Sequence, residues 1–176
     1  MEEKNYKEKL KDITTFIFDV DGVFTNTQVF VNNDGDLLRS MNMKDGFALK
    51  TAVAKGYTIC IITGGGNVGV QKRFENLGVT DIYMLRHEKL ETFLEYQKSK
   101  GLKTEQILYM GDDIPDFEVM SLVGCPCCPR DAASEIKEIS LYVSDLDGGY
   151  GCGRDIIEQV LKAQGKWLND AKAFGW

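Results

Sequence analysis

The chain of 176 residues predicts an α/β protein: a three-layer, Rossmann-like fold with a parallel sheet between helices. Two observations predict it. Short apolar runs alternate with helical patterns along most of the length, the pattern of strand–helix–strand units. Polar residues then recur where the runs stop: Asp19 and Asp21, Thr63, and Asp112 with Asp113. Binding groups in parallel sheets gather at strand C-termini. No internal repeat or low-complexity stretch competes, so residues 1–176 read as a single domain.

The elements follow in order. Residues 1–12 are a polar lead-in with one or two helical turns. Thr14–Phe18 is a buried strand running into Asp19-Val20-Asp21-Gly22. Residues two apart on a strand point the same way, which puts Asp19 and Asp21 about 7 Å apart at its mouth. Gly22 allows a sharp turn there. Thr27–Val31 and Leu37–Met41 flank Asn32-Asn33-Asp34-Gly35-Asp36, a hairpin signal. A hairpin that projects from so small a domain cannot bury both faces, so 27–41 is a candidate oligomerisation contact. Asp45 is expected to cap a helix reaching Lys55, with Gly56 as its stop. Tyr57–Ile62 is a second buried strand, ending at Thr63-Gly64-Gly65-Gly66, and a helix runs on to Leu77. Asp81–Leu85 is a short strand, His87–Lys100 a helix, and Ile107–Met110 a strand ending at Gly111-Asp112-Asp113. Pro115 starts a helix. Val123–Cys127 is a strand, Ala132–Glu138 a short helix, Ser140–Val143 a last strand and Arg154–Ala163 a terminal helix. Residues 148–176 form a C-terminal helix and tail.

Composition narrows the function. The formal net charge of -6 argues against a nucleic-acid partner, which wants a basic face. Met1 to Lys11 is charged and lacks the apolar core of a signal peptide, and no apolar run approaches membrane-spanning length. No membrane partner and a cytoplasmic location are expected. Five cysteines fit a reduced compartment better than a disulfide framework. Cys125-Pro126-Cys127-Cys128 lacks a second ligand pair at zinc-site spacing, so small buried residues at a strand end are expected.

Two carboxylates crowded at a strand mouth repel each other unless a cation lies between them, and Mg²⁺ is the obvious hard cation. Tyr142-Val143-Ser144-Asp145-Leu146-Asp147-Gly148 repeats the Asp-x-Asp-Gly form. Its apolar run is shorter, and no Thr-Gly or Gly-Asp-Asp follows it.

The Asp-x-Asp-Gly, the Thr63-Gly64, Lys89 at a helix start and Gly111-Asp112-Asp113-x-x-Asp116 resemble, in order and spacing, the four motifs of the haloacid dehalogenase (HAD) superfamily. That resemblance implies roles. Asp19 would be the nucleophile that forms an aspartyl-phosphate, and Asp21 the acid and base toward leaving alcohol and water. Mg²⁺ would be held by Asp19, the main-chain carbonyl of Asp21, and Asp112. Thr63 and Lys89 would hold the phosphoryl oxygens, with Asp113 and Asp116 orienting Lys89 or metal waters. The spacing leaves room for no cap domain in either usual insertion place.

Asp19 to Thr25, the hairpin, Lys44-Asp45-Gly46, Gly148-Gly149-Tyr150-Gly151, Arg154 and Ala163-Gln164-Gly165-Lys166 look like the 3-deoxy-D-manno-octulosonate 8-phosphate (KDO 8-phosphate) phosphatase family. The resemblance implies hydrolysis of a small sugar-acid phosphate in lipopolysaccharide precursor synthesis. It also implies a homotetramer in which a neighbour's C-terminal segment, with Gly148, Gly149 and Arg154, covers the site in trans. Substrate contacts are implied for Asn42, Lys44, Thr63, Gly64, Gly65, Gly66, Arg73 and Lys89. Two departures concern the substrate: Gly65 stands where the family usually has arginine, and Tyr150 where it has lysine or arginine. A nine-carbon keto-deoxy sugar acid 9-phosphate is therefore the alternative substrate, and a non-catalytic regulatory module the alternative class.

Overall fold

The computed structural model describes residues 6–169. Six parallel strands form the central sheet: β1 Thr15–Phe18, β4 Thr58–Ile62, β5 Asp81–Tyr83, β6 Ile107–Met110, β7 Cys125–Cys128 and β8 Tyr142–Val143, in the order β5-β4-β1-β6-β7-β8. The other two, β2 Phe30–Val31 and β3 Leu37–Leu38, pair antiparallel as the hairpin. Seven helices accompany them: α1 Tyr6–Lys9, α2 Met43–Ala54, α3 Val68–Asn76, α4 Lys89–Lys100, α5 Phe117–Met120, α6 Ser134–Ile139 and α7 Cys152–Ala163.

The period of two along β1 divides the core. Phe16 and Phe18 point into a layer with Leu49 of α2, Phe74 of α3, and Ile156 and Val160 of α7. Ile17 points the other way, toward Phe93 and Tyr96 of α4, Met120 of α5 and Ile136 of α6. Both faces are covered, so every residue of β1 and β6 is buried. The five cysteines are unpaired and buried. From β1 the chain builds outward first to β4 and β5, then to β6, β7 and β8. The switch lies at β1, and a crevice outside the strand ends opens there.

Only the hairpin, α2 and β4 lie between Asp21 and Thr63, and only α4, one 3₁₀ turn and β6 between Lys89 and Asp112. The fold has no cap domain. Among the described residues, no helix is long and apolar enough to cross a membrane.

Several sequence-based boundaries shift. The hairpin pairs over two residues per strand, not over Thr27–Val31 and Leu37–Met41. Asn32 organises its turn, accepting hydrogen bonds from the Asp34 and Asp36 amides at 3.0 and 2.8 Å. Asp45 does not cap α2. Asn42 does, its Oδ1 accepting from Lys44 N at 2.9 Å. Asp45 is instead buried in the first turn, where Oδ1 accepts the Arg154 amide at 2.6 Å.

That contact shows where the C-terminal segment sits. Gly149 N donates to Val23 O at 2.9 Å, and Gly148 N to Asp131 Oδ1 at 2.9 Å. A Cβ on Gly148 would lie 1.9 Å from the carbonyl oxygen of Gly22. Gly148 and Gly149 therefore buttress the Asp21–Thr25 turn of their own chain, and Arg154 stacks over the Phe47 and Trp167 rings. Within one chain these residues pack against their own subunit, and a cover supplied in trans by a neighbour's segment is a proposal about the assembly. The end of that tail, 170–176, lies outside the described residues.

Gly148→Ala is expected to lower unfolding free energy by roughly 1–3 kcal/mol, as overpacking does. Urea unfolding measures it. An unchanged midpoint would contradict the close approach to Gly22.

Candidate active site

The central strand delivers Asp19 to the crevice, and its amide donates to Met110 O of the neighbouring β6 at 3.0 Å. Asp112 leaves β6 one residue past Gly111, and the 3₁₀ turn Ile114–Asp116 brings Asp116 back beneath it. Lys89, the first residue of α4, enters from the opposite side. Its Nζ lies 2.8 Å from Asp116 Oδ1 and 3.1 Å from Asp19 Oδ1. Lys89, Asp19 and Asp116 are all buried. Tyr109 donates its hydroxyl to the same Asp116 oxygen at 2.6 Å, and Asp112 N reaches Asp116 Oδ2 at 3.3 Å. Asp116 is thus fully occupied with holding Lys89 and the Asp112 backbone.

Asp19 is not. The Lys89 ammonium pairs with Oδ1 at 3.1 Å, and that buried oxygen has no further partner among the described residues. Ligand atoms of Asp19, Asp112 and Asp116 all lie within 4.8 Å of one another. One ammonium thus faces three carboxylates. Burial first, and then repulsion from Asp116, push Asp19 up to about 7 despite Lys89. Burial, with repulsion from Asp19 and Asp116, pushes Asp112 up to about 8. A carboxylate oxygen with no further partner, in a site with surplus negative charge, fits a hard divalent cation. Gly22 makes room for the cluster. Its φ is +91°, and a Cβ there would fall 1.9 Å from Asp112 Oδ2.

Asp21 points elsewhere. Arg39, returning from the hairpin, clamps it with Nε 2.7 Å from Oδ1 and Nη2 2.8 Å from Oδ2, and Thr25 Oγ1 donates to Oδ1 at 2.9 Å. Burial alone would raise this carboxyl, but the Arg39 and Thr25 hydrogen bonds outweigh it and hold it below the usual carboxylate range. The lysine behaves alike: burial would lower Lys89, and the charges of Asp19 and Asp116 raise it instead.

These groups share a pocket of about 490 Å³. Of the residues expected from sequence, Asp19, Asp21, Thr63, Gly64, Gly65, Lys89, Asp112, Asp113 and Asp116 line it. Thr63 is buried, its Oγ1 accepting from Gly65 N at 3.2 Å. Asp113 accepts from Ile114 N, one residue on, at 2.9 Å. Others fall outside within one chain. Gly66 lies in an adjoining groove with Gly35 and Leu37. Arg73 lies farther round, its Nη2 3.6 Å from Met43 Sδ, while Asn42 caps α2 and Lys44 is exposed. Asp147 of the second Asp-x-Asp-Gly is taken by Arg130 at 2.7 and 2.6 Å, away from this pocket.

Arg39, Tyr109, Thr27, Arg86 and His87 were not anticipated. Tyr109 carried a signal, since a tyrosine inside a strand buried on both faces must find a hydroxyl partner. Arg39 carried none, because its partner lies 18 residues away across a hairpin.

A parallel sheet with carboxylates gathered at the mouth of its central strand, facing a buried lysine and a strand-end threonine, defines the class: a HAD-superfamily phosphohydrolase. Comparison with known proteins narrows it. No family model matches. The 3-deoxy-D-manno-octulosonate 8-phosphate phosphatase KdsC of Escherichia coli K12 is 33% identical over 164 residues, covering 93% of this chain and 87% of that protein. A Legionella pneumophila structure assigned to subfamily III A of the HAD superfamily hydrolases is 33% identical, with a TM-score of 0.89 over 92% of this chain and 89% of that one. The Moraxella catarrhalis 3-deoxy-D-manno-octulosonate 8-phosphate phosphatase, solved with a magnesium ion, a phosphate ion and KDO, is 29% identical, with a TM-score of 0.88 over 93% and 94%. The chain belongs to the KDO 8-phosphate phosphatase family of the HAD superfamily, and it is a phosphatase.

The raised carboxyls fix a pH dependence. Asp19 at about 7 and Asp112 at about 8 compare with about 3.9 in an unfolded chain. Between those limits the folded state holds more protons, so metal-free stability falls as pH rises. Asp45, which burial pushes up to about 6, acts in the same direction. The Tm of metal-free protein should fall between about pH 5 and about pH 8.5, and saturating Mg²⁺ should raise it more at the higher pH. A metal-free Tm that climbs over this range would contradict the cluster.

Proposed function

We propose that the chain is a Mg²⁺-dependent phosphomonoesterase that releases phosphate from KDO 8-phosphate through an aspartyl-phosphate on Asp19. The observation that carries this reading is the buried Asp19 oxygen at the strand mouth, paired with Lys89 at 3.1 Å. The names of the E. coli and M. catarrhalis relatives support the substrate.

Asp19 attacks phosphorus, forming a P–O bond as the ester P–O bond breaks, and Asp21 gives its proton to the leaving alkoxide. Water then attacks phosphorus, its proton returning to Asp21, and Asp19 leaves as carboxylate. Lys89, fixed by Asp116, offsets charge on the transferring group. Thr63 and the Gly64 amide supply donors for the phosphoryl oxygens. A divalent cation would be held by Asp19, Asp112 and the Asp21 carbonyl, where it supplies neutralisation of the charge between nucleophile and phosphate. The Arg39 fork keeps Asp21 ionised, so the fork must let go and Asp21 take up a proton from solvent before it can give one to the leaving alkoxide.

The nine-carbon sugar-acid 9-phosphates are a second reading, favoured by one observation: Gly64 and Gly65 line the pocket without side chains and leave room for a longer substrate. We further infer a homotetramer in the cytoplasm. The hairpin supports assembly, with Phe30 74% and Val31 66% exposed on a projecting ribbon.

Asp19→Asn should abolish phosphate release from KDO 8-phosphate while leaving the circular dichroism spectrum and Tm near wild type; retained turnover would sink the mechanism. A release screen across eight- and nine-carbon sugar-acid phosphates ranks the substrates. Sedimentation equilibrium should report four chains for wild type and fewer for Phe30→Asp, and a monomeric wild type would exclude the tetramer.

A further inference from the structure

We propose that Arg86, on the loop between β5 and α4, recognises the carboxylate of the substrate. The inference rests on the sugar-acid reading above and names the residue that makes it specific.

The cations of the pocket are unequally free. Lys89 is held by Asp19 and Asp116, and Arg39, in the adjoining groove, by Asp21. Arg86 lines the same pocket, and among the described residues its guanidinium has neither hydrogen bond nor ion pair.

An exposed arginine is ordinarily a solvated surface charge, but the loop that carries this one is built. Leu85 N donates to Gly65 O at 3.2 Å, and Arg86 N to Thr63 O at 2.9 Å. Both bonds dock the loop on the Thr63–Gly65 turn that lines the pocket. Leu85 sits at φ +57°, a left-handed conformation that a branched side chain adopts only when its surroundings hold it there. Its side chain occupies space that a side chain at residue 66 would need: a Cβ on Gly66 would fall 2.6 Å from Leu85 Cδ2. Residue 86 therefore starts from a fixed point beside Thr63 and presents a free guanidinium to the pocket.

The chemistry divides accordingly. The phosphoryl end of the substrate is served by Lys89, Thr63 and the metal cluster. A keto-sugar acid carries a second anion, planar and bidentate, and a guanidinium fork is its geometric match. A pocket of about 490 Å³ is large enough to hold both ends of such a molecule.

The test compares Arg86→Ala and Arg86→Lys with wild type on KDO 8-phosphate and on ribose 5-phosphate, which has no carboxylate. Arg86→Ala should raise KM for KDO 8-phosphate about 10- to 100-fold, as loss of a hydrogen bond to a charged group does. Its kcat should hold within about twofold, and both constants for ribose 5-phosphate should be unchanged. Arg86→Lys should recover part of the loss. Equal losses on the two substrates would assign Arg86 to the phosphate and overturn the proposal, as would no change on either. Wild type that does not distinguish the two substrates would sink the sugar-acid reading itself, and the role of Arg86 with it. Wild type that strongly prefers KDO 8-phosphate, with Arg86→Ala keeping that preference, would overturn this inference alone.

Discussion

Three carboxylates held around one ammonium at the end of the central strand are the constraint on which the rest of the structure depends. Such a cluster is costly: each buried charge loses hydration, and one lysine cannot neutralise three acids. Raised carboxyls at Asp19 and Asp112 are the visible strain. The scaffold around the cluster suits this burden. Tyr109 and Lys89 both bond Asp116 from within the core, so the most buried acid is the most completely partnered. Gly22 gives up its side chain to let Asp112 approach, and Gly148 gives up its own to buttress Gly22. The oxygen left over belongs to Asp19, the residue proposed to attack.

The second carboxylate of the strand mouth lives in a different environment, which separates the two roles. Asp21 is half exposed and clamped by Arg39, so its carboxyl is held low while that of Asp19 is pushed high. Arg39 comes from the hairpin, and the hairpin also carries the exposed apolar ribbon. A contact that moved the hairpin would therefore also move the arginine that holds the proposed acid. Without a cap domain, the wall of the pocket is left to short loops, and the loop bearing Arg86 is docked on the Thr63–Gly65 turn.

Much of this was legible in the sequence, for physical reasons. Strands buried on both faces leave continuous apolar runs, so β1, β4 and β6 stood out, and the polar residues at their ends followed from chain order. Asp19, Thr63, Lys89 and Asp112 do meet in one pocket. What sequence did not carry was set by tertiary contact. Asp45 has good capping chemistry, yet Asn42 caps α2 because the Arg154 amide claims Asp45. The hairpin strands are shorter than their composition suggests, and their apolar side chains stay largely exposed. The packing of Gly148 on the Gly22 carbonyl oxygen was likewise set by tertiary contact, with no local signal for it. Arg39 and Arg86 were invisible as site residues because each acts across loops whose paths local patterns do not encode.

The central claim is that Asp19 attacks phosphorus. Borohydride added during steady-state turnover of KDO 8-phosphate reduces an acyl phosphate to the alcohol, converting an aspartyl-phosphate residue into homoserine. Mass spectrometry of the peptide spanning residues 12–39 should find homoserine at position 19, only when both substrate and Mg²⁺ are present. Turnover with an unmodified peptide, or homoserine at position 145 in a second peptide, would contradict it.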